Sequence, residues 1–125
     1  MKKININGLS NLGPYSQAVQ VQNTFYFSGQ LGIDFTTNQM APDVKTQTKQ
    51  ALQNIKLLLD ENDLKIDNIA KATIFVNDIN DFDAINQVYA EFMNGHAPAR
   101  SLVQVAAIPK NALVEIEVIV VVENA

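Results

Sequence analysis

A chain of 125 residues with 47% hydrophobic and 18% charged side chains fits one globular domain, residues 1–125, and excludes a disordered or collagen-like polymer. The net charge is -4 and the eight lysines form no stripe interleaved with aromatics, so nucleic acid is an unfavoured partner. With no cysteine and a single histidine, His96, disulfides, thiolate nucleophiles and His/Cys zinc sites are excluded, and no motif calls for another metal or for a cofactor.

The longest apolar run, Val118 to Val122, is too short to span a bilayer, and the N-terminus lacks a secretion signal. A cytoplasmic protein is therefore expected. In chain order, Val19–Phe27 alternates apolar and polar residues on its first arm around a turn-prone Asn23, the pattern of a β-hairpin. Leu31–Pro42 is mixed, broken by Asp34, Asn38 and Pro42, and reads as a loop. Val44, Thr48, Ala51, Leu52, Ile55, Leu58 and Leu59 recur at helical spacing, predicting a helix that starts near Pro42-Asp43 and stops at Asn62.

Ala70–Val76 is a predicted strand, halted by Asn77-Asp78. A second helix follows, capped by Asn80 or Asp81, with Phe82, Ile85, Tyr89, Phe92 and Met93 turned inward and Gly95 closing it. Ser101–Ala106 and Leu113–Val122 are the last predicted strands, joined as a hairpin by the turn at Pro109-Lys110-Asn111. The order β-β-α-β-α-β-β suggests an α+β fold of two layers, with two helices on one face of a mixed sheet. Both faces of the last strand are largely apolar, so the face away from the helices is expected to bury against another copy of the chain.

The only arginine, Arg100, stands in Ala97-Pro98-Ala99-Arg100-Ser101, where proline stiffens the start of a strand and small neighbours leave room for the guanidinium. It is either a surface solubiliser or a fork for a carboxylate, which it can hold with two parallel hydrogen bonds. Glu115 and Glu117 share one face of an apolar strand. They are either solvated at an edge or partly buried, in which case desolvation favours the protonated form and suits acid/base work near neutrality. If the final hairpin holds, Arg100 lies opposite Ile119, about four positions or roughly 13 Å from Glu115, and a site using both falls between subunits. Tyr15 follows Gly13-Pro14 and is either a half-exposed loop tyrosine, the favoured reading, or a phenol projected from a turn; Ser28, Gly29 and Gln30 end the first hairpin, where glycine permits close approach of a ligand or merely a turn. Asn86 shares the inward side of the second helix, where its amide needs a structural or a substrate partner, and His96 reads as a solvent-facing loop residue.

Together, Gly13-Pro14-Tyr15-Ser16-Gln17-Ala18, Ser28-Gly29-Gln30, Asn86 with Tyr89, Pro98-Ala99-Arg100-Ser101 and Glu115-Ile116-Glu117 resemble the Rid family of reactive-intermediate deaminases, also called YjgF. The resemblance spans nearly the whole chain. It implies a chorismate-mutase-like fold, a homotrimer with clefts between subunits, and cofactor-independent hydrolysis of 2-imino acids of the 2-iminopropanoate and 2-iminobutanoate type to 2-keto acids and ammonia. It also implies that Arg100 holds the substrate carboxylate, that Tyr15, Ser28, Gly29 and Asn86 line the cleft, and that Glu115 orients or activates water. Two departures stand out: the segment from Tyr89 to Pro98 is shorter than in typical members, and Leu102 stands where some carry cysteine. A noncatalytic module that binds a small ligand in the same cleft is the alternative, and RNA cleavage or translational inhibition, attributed to some relatives, is the weaker one.

Overall fold

The computed structural model describes residues 1–123. Its strands are β1 (Lys2–Ile4), β2 (Ala18–Val21), β3 (Thr24–Phe27), β4 (Gln30–Leu31), β5 (Ile33–Asp34), β6 (Gln39–Met40), β7 (Ile69–Val76), β8 (Ala99–Gln104) and β9 (Val114–Val121); the helices are α1 (Val44–Glu61) and α2 (Phe82–Met93). The main sheet runs β1-β2-β3-β9-β7-β8, with β4 continuing the line of β3 along β9. Among the described residues, only β7 and β8 pair in parallel. The fold is α+β, two helices on a mixed sheet, as expected, and no helix among the described residues is long and apolar enough to cross a membrane.

The sequence pattern accounts for both helices. Asp43 adopts an extended conformation and its carboxylate accepts from the Thr46 amide at 2.9 Å, capping α1. Ala51, Leu52, Ile55, Leu58 and Leu59 are buried against Ile74, Val114, Ile116 and Val118 of the sheet. The left-handed residue after α1 is Asp63, not Asn62, and α2 ends on left-handed Asn94 just before Gly95. Within α2 the inward residues are Ile85, Tyr89 and Met93; Phe82 is exposed.

Three expectations fail. β1 adds to the first hairpin, and the presumed loop 31–42 begins on the last residue of β4 and contains the β5–β6 hairpin, turned at left-handed Asn38 and bridged by Asp34, which accepts from the Thr36 amide. These strands are only two or three residues long, too short for alternation to register. More consequentially, β8 and β9 are not a hairpin. β7 lies between them, parallel to β8 and antiparallel to β9, so a row across the sheet reads Arg100, Ala72, Val118 rather than Arg100 opposite Ile119.

That register sorts the side chains. Val114, Ile116, Val118 and Val120 turn to the helices and are buried, and Arg100 belongs to the same side. The opposite face carries the rows Val103, Phe75, Glu115 and Ser101, Thr73, Glu117, and farther along it Tyr26 and Val21 are exposed.

Candidate active site

Glu115 is half-buried in the floor of a cavity of about 390 Å³ whose walls are Leu12, Tyr15, Ser28, Gly29, Leu31, Pro109 and Glu117. Gly29 makes room for it. A Cβ built on Gly29 would lie 2.9 Å from the Glu115 carboxyl carbon and 3.0 Å from Oε2. The Gly29 backbone is not in the left-handed region, so space, and not conformational freedom, is what glycine supplies there. Burial is the main cause of a Glu115 pKa raised above the ordinary glutamate value, and the negative charge of Glu117 adds to it.

The other walls are held by polar residues that sequence patterning does not distinguish. Gln17 is buried and staples the N-terminal loop: it accepts from the Ile6 amide at 2.8 Å and donates to the Leu9 carbonyl at 3.1 Å and to Asn11 Oδ1 at 2.8 Å. Asn11 in turn donates to the Tyr15 carbonyl, and the Tyr15 hydroxyl accepts from the Leu12 amide at 3.3 Å. Ser28 is spoken for by the backbone, its hydroxyl donating to the Ser16 carbonyl at 2.7 Å. From the helix side, Asn54 of α1 donates to the carbonyls of Leu31 and Ile33 and Gln47 accepts from the Leu113 amide, fixing β4 and the start of β9 to the helix. Gly32 lets that helix approach, since a Cβ there would lie 2.4 Å from the Gln47 carbonyl oxygen.

Gln30 does not join this group. It pairs with Ile116 and is buried on the helix side, whereas the next residue, Leu31, pairs with Glu115 and lines the cavity. The two-residue alternation of the strand decides between them. Leu12, Leu31 and Pro109 are cavity residues that the sequence reading left out of the site, and Glu117, paired with Glu115 in that reading, lines the cavity too.

Arg100 and Asn86 stand elsewhere. On edge strand β8 the guanidinium lies 4.9 Å from the Tyr89 ring centre and 5.8 Å from that of Phe82, both on α2. No carboxylate lies within ion-pair distance of it among the described residues. Asn86 sits on the α2 side bearing Phe82 and Tyr89; its Oδ1 and the Tyr89 hydroxyl are buried without a hydrogen-bond partner. Burial raises the Tyr89 pKa, opposed by the positive charge of Arg100. From the Arg100 row to Glu115 is two strands across and three residues along, about 14 Å, and the two side chains leave opposite faces of the sheet. The chain thus presents two separate features: a cation on an aromatic shelf, and a carboxylate in a cavity.

His96 is not a free loop residue. Its Nε2 donates to the Ile69 carbonyl at 2.8 Å, tying the end of α2 to β7. Among the described residues no group of three or more His, Asp or Glu side chains could hold a metal ion.

Comparison with known proteins gives a consistent answer. A family model described as endoribonuclease L-PSP matches residues 5–122. A 2-iminobutanoate/2-iminopropanoate deaminase of Dermatophagoides farinae is 49% identical over 113 residues, 90% of this chain and 88% of that one. Among solved structures, the YjgF gene product of E. coli superposes with a TM-score of 0.93 at 38% identity, covering 98% of this chain and 100% of the other. E. coli TdcF with bound serine gives the same TM-score and coverage at 36% identity.

Proposed function

The chain belongs to the endoribonuclease L-PSP family, the Rid or YjgF family of its sequence resemblance, and we propose that it hydrolyses 2-imino acids to 2-keto acids and ammonia in clefts between its own copies. The observation that carries this reading is the cavity in which Gly29 leaves space for a half-buried Glu115. The deaminase name of the Dermatophagoides farinae relative supports the reaction, and the serine bound by TdcF supports a cleft suited to small molecules bearing a carboxylate.

The two features are half-sites in this scheme. The Arg100 edge of one protomer meets the Glu115 cavity of the next, a head-to-tail contact that closes as a ring, a homotrimer by family resemblance. Such a contact would also cover the apolar residues of the outer sheet face, Val103, Val21 and Tyr26. The Arg100 fork then holds the substrate carboxylate, Asn86 lies beside it, and Tyr15, Ser28 and Gly29 face the reacting end.

The chemistry needs modest help, because a protonated imine is already electrophilic. Water attacks C2 and gives a proton to the Glu115 carboxylate; the tetrahedral carbinolamine then takes a proton back on nitrogen. The C–N bond breaks as the hydroxyl oxygen forms the carbonyl and yields its proton, through the Glu115 carboxylate, to the released ammonia, which departs as ammonium. A carboxylate whose pKa is raised by burial is suited to these transfers, and such assistance contributes about 10²- to 10⁴-fold. The cytoplasm, where amino-acid metabolism generates imines, is the proposed place of work.

Mixed oligomers test the scheme. Arg100→Ala and Glu115→Gln chains, each inactive in keto-acid release, are co-refolded. A site shared across a closed head-to-tail ring should regain about a quarter of wild-type activity, since one interface in four pairs an intact arginine with an intact glutamate. No recovery in verified hybrids would place both groups in one protomer and reject the shared cleft.

A further inference from the structure

The Glu115 cavity adjoins another. Beyond the Leu12 side chain lies a second cavity of about 360 Å³, lined also by Ser10, Ile33, Phe35, Asn38, Met40 and Lys110. Leu12 belongs to both linings, and the consecutive residues Pro109 and Lys110 fall one on each side. The floor is continuous and apolar. Leu31 of the first cavity packs with Ile33, Ile108 and Ala112, and Phe35 and Met40 pack against the same cluster.

The partition between the two spaces is slight. Leu12 is 43% exposed and lies in a bend outside any strand or helix. Its amide donates to the Tyr15 hydroxyl, so the residue that divides the cavities is tied to the phenol that faces Glu115. An exposed leucine normally calls for no explanation. One that forms the common wall of two cavities, above a floor of buried aliphatic residues, has a geometric consequence: its side chain fixes how far an apolar group in the first cavity can extend into the second.

We propose that the second cavity receives the side chain of the substrate, and that Leu12 sets the length of apolar side chain the site accepts. This rests on the deaminase reading and adds a preference to it. The carboxylate and imine of any 2-imino acid occupy the Arg100–Glu115 cleft; a methyl group ends there, whereas a branched aliphatic chain continues past Leu12 onto Ile33, Phe35 and Met40. The ammonium of Lys110 lines the same space and disfavours side chains that carry a positive charge. The selectivity is read as a ratio of kcat/KM values, in which one methylene in an apolar pocket is worth about tenfold or more.

The test compares imines generated in situ from leucine and from alanine by an amino-acid oxidase, with keto-acid release timed. Met40→Arg puts a charge into the second cavity and should lower the leucine-to-alanine ratio of kcat/KM about tenfold. Leu12→Ala removes the wall and should raise that ratio several-fold, whatever it does to the absolute rates. Ser10→Trp, at an exposed position, narrows the same space and supplies the ratio should Met40→Arg not fold. If the wild-type protein accelerates both reactions and these variants leave the ratio unmoved, the second cavity has no part in selection and the proposal falls while the deaminase reading stands. If the wild-type protein accelerates neither, both fall together.

Discussion

Gly29→Ala isolates what the candidate site requires of its geometry. The added methyl would stand 2.9 Å from the Glu115 carboxyl carbon and 3.0 Å from its Cγ. Carbon atoms are at ease at about 3.5–4.0 Å, so the carboxylate must withdraw by roughly 0.6–1 Å. A misplacement of about 1 Å can cost about 10²-fold in rate, the loss expected here in kcat. The fold should hold, because alanine can adopt the Gly29 backbone and the group displaced is the end of a flexible side chain; the stability change should stay within about 1 kcal/mol. The assay is keto-acid release from oxidase-generated imine, with thermal unfolding run alongside. Glu115→Asp sharpens the test, since its carboxylate retracts by one methylene from the same methyl group. The double variant should then lose less than the sum of the single losses in free energy, the signature of two residues competing for one space. A Gly29→Ala enzyme within about twofold of wild type would refute the reasoning, given the loss of about 10²-fold that misplacement predicts.

Glu115 also predicts a pH dependence. Its folded pKa is raised, chiefly by burial, so its contribution to stability is present below the unfolded value and is lost as pH rises through the folded one. Glu115→Gln should therefore be more stable than wild type near neutrality, with the advantage fading below about pH 4; equal denaturation midpoints at both would contradict this. Glu117→Gln removes the second cause of the shift, so the acid limb of the kcat/KM profile should move to lower pH, and an unmoved limb would detach Glu115 from that limb. On the other half-site, Tyr89→Leu removes a ring stacked on Arg100 and should raise KM by about two- to thirtyfold, whereas Tyr89→Phe keeps the ring and should bind as wild type. Because the hydroxyl it deletes is buried without a partner, Tyr89→Phe should be no less stable than wild type; a marked loss would mean that a neighbouring copy supplies the partner.

Long, strongly periodic elements were legible in the sequence. The inward residues of α1, from Val44 through Thr48, Ala51, Leu52 and Ile55 to Leu58 and Leu59, recur at the helical step along its eighteen residues, and Asp43 caps where the pattern begins. Short elements were not: β5 and β6 contribute two residues each, and their pairing depends on a turn at Asn38 that a mixed composition hides. Residue types pointed to Arg100, Glu115, Tyr15 and Gly29, since each offers chemistry or space that few others can. Gln17, Gln47 and Asn54, which fix the cavity walls, carry no such mark; a glutamine that satisfies buried backbone groups looks in sequence like any polar residue. Gln30 and Leu31 are adjacent, and only the register of β4 against β9 says which of them faces Glu115.

The largest error, pairing β8 with β9, had a signal against it. Ala70–Val76, a helix and a strand beginning near Arg100 form a strand–helix–strand unit, whose strands lie side by side and parallel when the helix crosses over the sheet. That rule gives β8 to β7 and leaves β9 to enter from the other side. A chain whose strands alternate their side chains every residue then has no freedom left: with Ala72 beside both Arg100 and Val118, arginine shares the helix face, and a slip of one residue would have brought it to the face of Glu115. Packing forbids the slip, because it would expose Ile74 and Val76 and bury Thr73 and Lys71 among the leucines of α1. The hydrophobic pattern that builds the core is therefore what separates the cation from the carboxylate, and a cleft that uses both must draw them from different copies of the chain.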